Sequence, residues 1–184
     1  MRAWLEAGTP APVPHPVKVR NILTVARLFG IKKLVETGTQ AGATLAATLD
    51  YFDDLYSIEI YEPSVIAARK RFAAHPKVKI IHGDSATALP ALVKDIPEPI
   101  LFWLDGHYSG KGTGMGDEHS PIVSEIQHIL ALRPTGRDAI IIDDARLFVG
   151  QDGYPPIETF MRDMKAAFGT TPRYADDAIF ILPR

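Results

Sequence analysis

The sequence contains no cysteine among its 184 residues. Disulfides, thiolate metal sites and a cysteine nucleophile are therefore excluded, and the absence suits a reducing compartment. The chain also has little excess charge of either sign, with a formal net charge of -2. A nucleic acid or an anionic membrane surface would call for a basic patch. We therefore expect neither a nucleic-acid partner nor a membrane partner.

Long apolar runs are missing as well. Stretches such as "PILFWL" and "AIII" are far shorter than the ~20 residues of a membrane helix. The first 16 residues lack the apolar core of a secretory signal, and residues 8–16 hold four prolines. We expect a cytoplasmic protein with a single domain over residues 1–184, in which residues 1–16 form an extended, proline-rich lead-in.

Strand-like and helix-like segments alternate from residue 33 onward. The apolar runs in "KKLVET", "LYSIEI", "VKIIHG", "PILFWLDG" and "DAIIIDDA" predict five strands, and the segments between them predict helices. This alternation is typical of a parallel sheet with helices on both faces. The fold class is therefore α/β, a three-layer Rossmann-like fold with a mostly parallel central sheet. One clear strand, in "YADDAIFILP", follows the last predicted helix.

Each of the five alternating strands delivers an acid near its carboxyl end, where open parallel sheets bind ligands. These acids are Glu36, Glu59, Asp84, Asp105 and the adjacent pair Asp143 and Asp144. Several of them have an ordinary alternative. Glu59 could be a solvated charge, Asp84 could cap the next helix, and the two adjacent aspartates would point to opposite sides if their strand continued.

A glycine-containing turn, "GTQAGAT" at residues 38–44, follows the first predicted strand. It matches the nicotinamide fingerprint G-x-G-x-x-G only at its first glycine, because Gln40 stands at the second, and no Gly-Lys-Ser/Thr follows as in a P-loop. Glu36 would repel a pyrophosphate and suits a ligand with a positive group. Glu59 lies 21 residues after Gly38, near the ~20 expected for an acid that binds a ribose hydroxyl.

Taken in order, five segments resemble the class I S-adenosylmethionine-dependent methyltransferases: "LVETGTQAGATLAATL", "YSIEIYEP", "IIHGDSATALP", "LFWLDGHYSG" and "IIIDDARLF". The resemblance covers roughly residues 33–182 and is greatest to a small bacterial branch often found near polysaccharide or natural-product genes. It implies a methyltransferase that acts on an oxygen of a sugar or a small hydroxylated metabolite.

The resemblance also implies where S-adenosylmethionine binds. The first acid and the glycine turn meet the methionine part, the second acid holds the ribose, and the "GDS" stretch lies beside the adenine. The cofactor-binding residues expected on this basis are Glu36, Gly38, Thr39, Gly42, Glu59, Asp84, Ser85 and Asp105. Gln40 departs from the three-glycine form that is usual in the family.

Asp105, Asp143 and Asp144 resemble the magnesium site of catechol-type and sugar O-methyltransferases. Hard oxygen ligands suit Mg²⁺, which would lower the pKa of a bound hydroxyl. The alternative is that Asp105 orients its own loop while one of the other two acids contacts the substrate. Arg146 could pair with an acidic substrate or simply with the neighbouring aspartates.

His107, two residues after Asp105, is the candidate general base, and these two residues form the predicted catalytic pair. The alternative for His107 is a loop histidine bonded to backbone, and His119 is a second candidate base. The glycine-rich stretch "SGKGTGMG" at residues 109–116 favours a substrate lid or else a plain flexible connection.

Two other functions stay open. A different nucleotide-dependent enzyme such as an oxidoreductase is disfavoured by the incomplete glycine fingerprint. A non-catalytic cofactor-binding or assembly module is favoured by the single strand after the last helix, because the family makes an antiparallel pair there. A missing strand would leave a sheet edge for a partner subunit, so we expect a homodimer.

Overall fold

The computed structural model describes residues 1–106 and 120–184. The helices are α1 Arg2–Glu6, α2 His15–Phe29, α3 Ala43–Thr48, α4 Glu62–Arg71, α5 Ser85–Val93, α6 Ile122–Leu132 and α7 Ile157–Phe168. The strands are β1 Lys33–Thr37, β2 Asp54–Glu59, β3 Val78–His82, β4 Ile100–Leu104, β5 Ala139–Ile142, β6 Arg173–Ala175 and β7 Ala178–Ile181. A short 3₁₀ helix, Ala145–Leu147, follows β5.

The strands form one seven-stranded sheet in the order β3-β2-β1-β4-β5-β7-β6. Strands β1 to β5 pair in parallel, whereas β7 pairs antiparallel with both β5 and β6. The predicted α/β class is confirmed. Because the chain runs outward from β1 to β3 and then returns to β4 on the other side of β1, the loops after β1 and β4 diverge. The cleft for a ligand therefore lies at the carboxyl ends of these two strands.

Helices cover both faces of the sheet, so the predicted three layers are confirmed. On one face α5, α6 and α7 pack through residues such as Leu89, Ile126 and Phe160. On the other face α2, α3 and α4 pack around Trp103 and Leu45. Successive residues of β4 alternate between these two cores, which explains the continuous apolar run in the sequence. None of the helices in the described parts of the chain is long and apolar enough to cross a membrane.

The end of the chain forms two strands, so the prediction of a single final strand is wrong. Asp176 and Asp177, with φ of 50° and 56°, turn the chain between β6 and β7, and such left-handed pairs make tight hairpins. The sequence pattern did not predict β6, because all three of its residues are exposed and give no apolar signal. The step from a missing strand to a partner subunit, or to an assembly module, therefore loses its basis.

The prediction that residues 1–16 are extended is wrong at both ends. Helix α1 lies inside this segment. Its residues include no proline, which permits a helix there. Helix α2 begins at His15 with a proline in its first turn, where the missing N–H costs no hydrogen bond. Residues 7–14 between the two helices are non-helical, and Pro14 just before α2 is extended, so the prediction fails only where the helices replace the lead-in.

Candidate functional site

The predicted acids meet at one edge of the sheet. The backbone N–H of Asp105 donates to Thr37 O at 3.2 Å, and that of Asp143 donates to Leu104 O at 3.0 Å. The residues just past β4 and β5 are therefore still held by the neighbouring strands. This ladder places Asp105 between the end of β1 and the residue that follows β5.

The glycine turn after β1 fits closely against the end of β4. Gly38 has φ of +85°, and a Cβ at this position would lie 2.6 Å from the backbone oxygen of Asp105. Gly42 has φ of +67°, and its Cβ would lie 2.7 Å from the ring of Phe72. Both glycines are needed for the conformation and for the space. A side chain at Gly38 would push β1 and β4 apart at the cleft.

Glu59 supports this turn. Its Oε2 accepts the backbone N–H of Gln40 at 2.8 Å, and its Oε1 accepts that of Tyr61 at 2.8 Å. Gln40 has φ of +46°, so a carboxylate bond stabilises the turn where the family has a glycine. Glu59 is buried, which rules out the solvated charge. A carboxylate offers about four acceptor positions, and a ribose hydroxyl could use one that remains.

Glu36 lies in a pocket of hydroxyl groups. Its side chain is buried, Ser57 Oγ donates to its Oε2 at 2.6 Å, and Thr39 Oγ1 lies 2.6 Å from the same Ser57 oxygen. Burial raises the pKa of Glu36 to about 8; the hydroxyls of Ser57 and Thr44 oppose the rise, and the charge of Glu59 adds to it. Within residues 1–106 and 120–184, Glu36 forms no ion pair. A ligand with a positive group would favour its ionised form.

Asp84 caps α5, which confirms the helix-cap role that was the alternative prediction for this residue. Its Oδ1 accepts the backbone N–H of Ala86 at 2.9 Å. This cap fixes the turn between β3 and α5 and places the buried Ser85 at the first position of the helix. Asp84 and Ser85 thus lie at the same edge of the sheet as Glu59, since β2 and β3 pair in parallel.

Three carboxylates lie together beyond β4 and β5. One oxygen from each of Asp105, Asp143 and Asp144 lies within 4.8 Å of the others; we call these residues the acid trio. The adjacent aspartates do not point to opposite sides, because Asp144 leaves the strand conformation with φ of 54°. Burial, and next the charge of Asp143, raise the pKa of Asp105 well above its usual range.

Among the described residues, two cations contact the acid trio. Lys18 Nζ on α2 donates to Asp143 Oδ2 and lies 3.7 Å from Asp144 Oδ1. Arg146 Nη1 donates to Asp144 Oδ1 at 2.7 Å and also pairs with Asp177. Burial lowers the pKa of Lys18, but the attraction of Asp143 and the other acids outweighs it, so the net pKa is raised. Sequence reasoning anticipated the contact of Arg146 with Asp144 and missed Lys18.

A further buried acid, Glu125, was also missed. Burial raises its pKa to about 7, and the nearby hydroxyls of Ser85 and Thr37 offset part of the rise. Its Oε1 still forms no ordinary hydrogen bond with any residue in the described ranges. Glu125, Asp105 and Tyr154 are among the residues that line a recess at the cleft.

A sequence signal for Glu125 existed. It lies three residues after Ile122 and one before Ile126, on the apolar face of α6. A carboxylate on such a face is expected to be buried.

The predicted base His107, the second candidate His119 and the glycine-rich stretch 109–116 lie outside the described residues, which omit 107–119. The described residues on either side of this segment, Gly106 and Ser120, both line the recess. Gly106 also packs closely on β1, since a Cβ there would lie 3.1 Å from Thr37 Oγ1.

No family model matches the chain, and no curated protein matches its sequence. Solved structures do match it. The Podospora anserina methyltransferase PaMTH1 with bound SAH (S-adenosylhomocysteine) has a TM-score of 0.65 at 17% identity, over 98% of this chain and 86% of that one. The O-methyltransferase TomG of Streptomyces achromogenes, which is involved in tomaymycin synthesis and was solved with SAM (S-adenosylmethionine), has a TM-score of 0.64 at 17% identity, over 97% and 84%.

A third match is the O-methyltransferase of Bacillus cereus in complex with SAH, with a TM-score of 0.64 at 14% identity over 97% of this chain and 86% of that one. The chain has the class I methyltransferase fold. The methyltransferase fold spans nearly the whole chain in all three matches, which includes the antiparallel pair β6 and β7. The acidic edge described above lies at the carboxyl ends of its parallel strands.

Proposed function

We propose that the chain is an S-adenosylmethionine-dependent methyltransferase that methylates an oxygen of a sugar or another small hydroxylated metabolite. The observation that carries the proposal is the buried Glu36 without a cation among the described residues, next to a turn that requires Gly38. A buried acid of this kind suits the positive amino group and sulfonium of the cofactor. The matched structures with bound SAM or SAH support the same ligand.

The proposal gives each part of the cofactor a place at this edge. We assign the methionine part to Glu36 and to the turn with Gly38, Thr39 and Gly42. Glu59 would accept the ribose hydroxyls beside its bond to the turn. Asp84 and Ser85 would lie at the adenine, and the methyl group would point toward Asp105.

The reaction proposed is a direct displacement. The acceptor oxygen forms a bond to the methyl carbon, the bond between that carbon and the sulfonium sulfur breaks, and S-adenosylhomocysteine leaves with a neutral thioether sulfur. The hydroxyl proton passes to a base, for which His107 and Asp105 are the proposed residues. The raised pKa of Asp105 makes its ionised form a better proton acceptor than an ordinary carboxylate.

Asp105, Asp143 and Asp144 would also be the ligands of a divalent cation. Their chemistry fits, because three carboxylate oxygens lie within 4.8 Å of one another and Mg²⁺ prefers such donors. A bound ion would lower the pKa of the acceptor hydroxyl. Lys18 and Arg146 already pair with two of the three acids, so an ion would enter a site that is partly neutralised.

Cofactor binding is tested by calorimetric titration of S-adenosylmethionine into the purified protein. We expect micromolar affinity for the wild type and loss of binding for Glu59→Ala, which removes both the ribose acceptor and the support of the turn. Glu62→Ala is the matched control, because Glu62 is exposed at the start of α4. A folded wild type that does not bind the cofactor contradicts the proposal.

Catalysis is tested by formation of S-adenosylhomocysteine with a panel of sugars and catechols, with and without a chelator. The expected result is turnover on a hydroxylated acceptor. Cofactor binding without turnover on any of them would favour a non-catalytic binding module, and a change in nicotinamide absorbance would favour an oxidoreductase. The small-molecule acceptor and the cytoplasmic location belong to the same proposal.

A further inference from the structure

The acid trio and the Glu36 pocket differ in what neutralises them. Glu36 has hydroxyl partners, whereas Asp143 and Asp144 of the trio have cationic partners among the described residues. Lys18 contributes the most buried of these contacts, since its side chain is 19% exposed and that of Asp143 is 1% exposed. Arg146 is more exposed and shares its charge with Asp177.

We propose that Lys18 competes with divalent cations for the acid trio. When Lys18 is paired with Asp143, it supplies the positive charge that a metal ion would otherwise bring. Methyl transfer would then proceed without a bound metal. The consequence for methyl transfer rests on the proposed function, whereas the competition for the trio does not.

The competition follows from the shared oxygens. Lys18 Nζ bonds one oxygen of Asp143 and lies 3.7 Å from one of Asp144. A divalent ion held by the trio would bring two further positive charges within a few ångström of this ammonium group, in a site that water screens poorly. The ion would have to displace Lys18. Its binding would therefore be weakened by the free energy needed to break the buried ion pair between Lys18 and Asp143.

Lys18 is held in place by its neighbours on α2. Val17, the preceding residue, is buried, and so are Asn21 and Ile22 on the next turn. The backbone at Lys18 is therefore fixed against the sheet, and the ammonium group does not depend on a freely moving segment. Packing of α2 has therefore already ordered the backbone at Lys18, and pairing costs only the rotamer freedom of its side chain.

A second observation points to a ligand at the same place. The other oxygen of Asp143, Oδ1, is buried and has no hydrogen-bond partner among the described residues. An unpaired carboxylate oxygen in such a position is costly. An acceptor hydroxyl that donates to it would satisfy this oxygen while Lys18 remains on Oδ2.

The test is binding of Mn²⁺, followed by electron paramagnetic resonance, to the wild type, Lys18→Met and Lys33→Met. Lys33 is a matched control, because its side chain is 18% exposed and it pairs with Asp54 at the amino ends of β1 and β2, at the opposite end of the strands from the trio. We expect Lys18→Met to bind Mn²⁺ at least ~10-fold more tightly than either of the others, since the like charge is gone. Adding Asp143→Asn to Lys18→Met should remove the gain. Lys18→Gln is measured in parallel, in case the methionine variant does not fold.

Equal or weaker Mn²⁺ binding by the Lys18 variants would overturn the proposal, because Lys18 would then orient a ligand rather than compete with the ion. Titration of S-adenosylmethionine into the same proteins separates this result from failure of the proposed function. A gain in Mn²⁺ affinity without any cofactor binding would support the competition and contradict the proposed methyltransferase function. Cofactor binding without the gain in Mn²⁺ affinity would support the methyltransferase function and overturn the competition.

Discussion

At the end of β1, Glu36 is buried among the hydroxyl groups of Ser57 and Thr44, whereas beyond β4 and β5 the acid trio is buried against Lys18 and Arg146. Both regions belong to the same sheet edge and both raise the pKa of a carboxyl group. They differ in the source of positive charge. The first region has none among the described residues, and the second draws it from the chain.

Under the proposed function, this difference suits the two regions to different ligands. A buried acid without a cation is held protonated until a positive group arrives, so the Glu36 pocket is suited to the cofactor. The trio is already partly neutralised, so a neutral acceptor hydroxyl suits it while Lys18 is paired, and a divalent ion would enter only by displacing Lys18. The following changes would break or sharpen this contrast.

The largest effect is expected from Gly38→Ala. The added Cβ would lie 2.6 Å from the Asp105 backbone oxygen and would separate the two regions where they touch. We expect affinity for S-adenosylmethionine to fall by ~100-fold or more, equivalent to ~3 kcal/mol. Gly30→Ala is the control, because Gly30 has a similar φ of +65° with nothing within 4 Å of its Cβ. Calorimetry on both variants should show a loss only for Gly38.

An effect of comparable size, but on stability rather than on cofactor affinity, is expected from Lys18→Met. Removal of one partner of a buried ion pair costs about 3 kcal/mol, whereas Lys33→Met breaks a more exposed pair worth less than about 1 kcal/mol. Urea unfolding at pH 7 measures both. Equal losses for the two variants would mean that the trio does not depend on Lys18 for its charge.

The smallest effect concerns the pH dependence contributed by Glu125. Its pKa is about 7 in the folded chain and about 4.3 when unfolded. The folded state therefore binds the extra proton between these values, and stability falls as pH rises through this window. Between pH 5 and pH 8, the wild type should therefore lose roughly 2.5 kcal/mol of stability that Glu125→Gln does not lose. Urea unfolding at both pH values, with Glu62→Gln as the exposed control, would show no such difference if Glu125 were ordinary.

The sequence was sufficient for much of the fold. The runs that became β1 to β5 are apolar and bounded by acids and glycines, and their alternation with helices dictates a parallel sheet. Strand β6 was not predictable in this way, because Arg173, Tyr174 and Ala175 are all exposed. Its place is set by the turn at Asp176 and Asp177, which lacks the usual Asn-Gly signal.

The site was predictable where strand ends specify it and obscure where distant segments meet. Glu36, Glu59 and the acid trio follow directly from the strand ends. Lys18 does not, because it lies 125 positions from Asp143 in the chain and on a helix that precedes the alternating pattern. No spacing rule connects such a pair, and tertiary packing alone brings them into contact.

The central claim is that Glu36 holds the positive group of the cofactor. Its most direct test is calorimetry of S-adenosylmethionine with the wild type and Glu36→Gln at pH 7, in two buffers of different ionisation enthalpy. Because the pKa of Glu36 is about 8 and a cationic ligand lowers it, the wild type should release about one proton more per cofactor than the variant. The variant should also bind more weakly. Equal proton release and equal affinity in the two proteins would contradict the account.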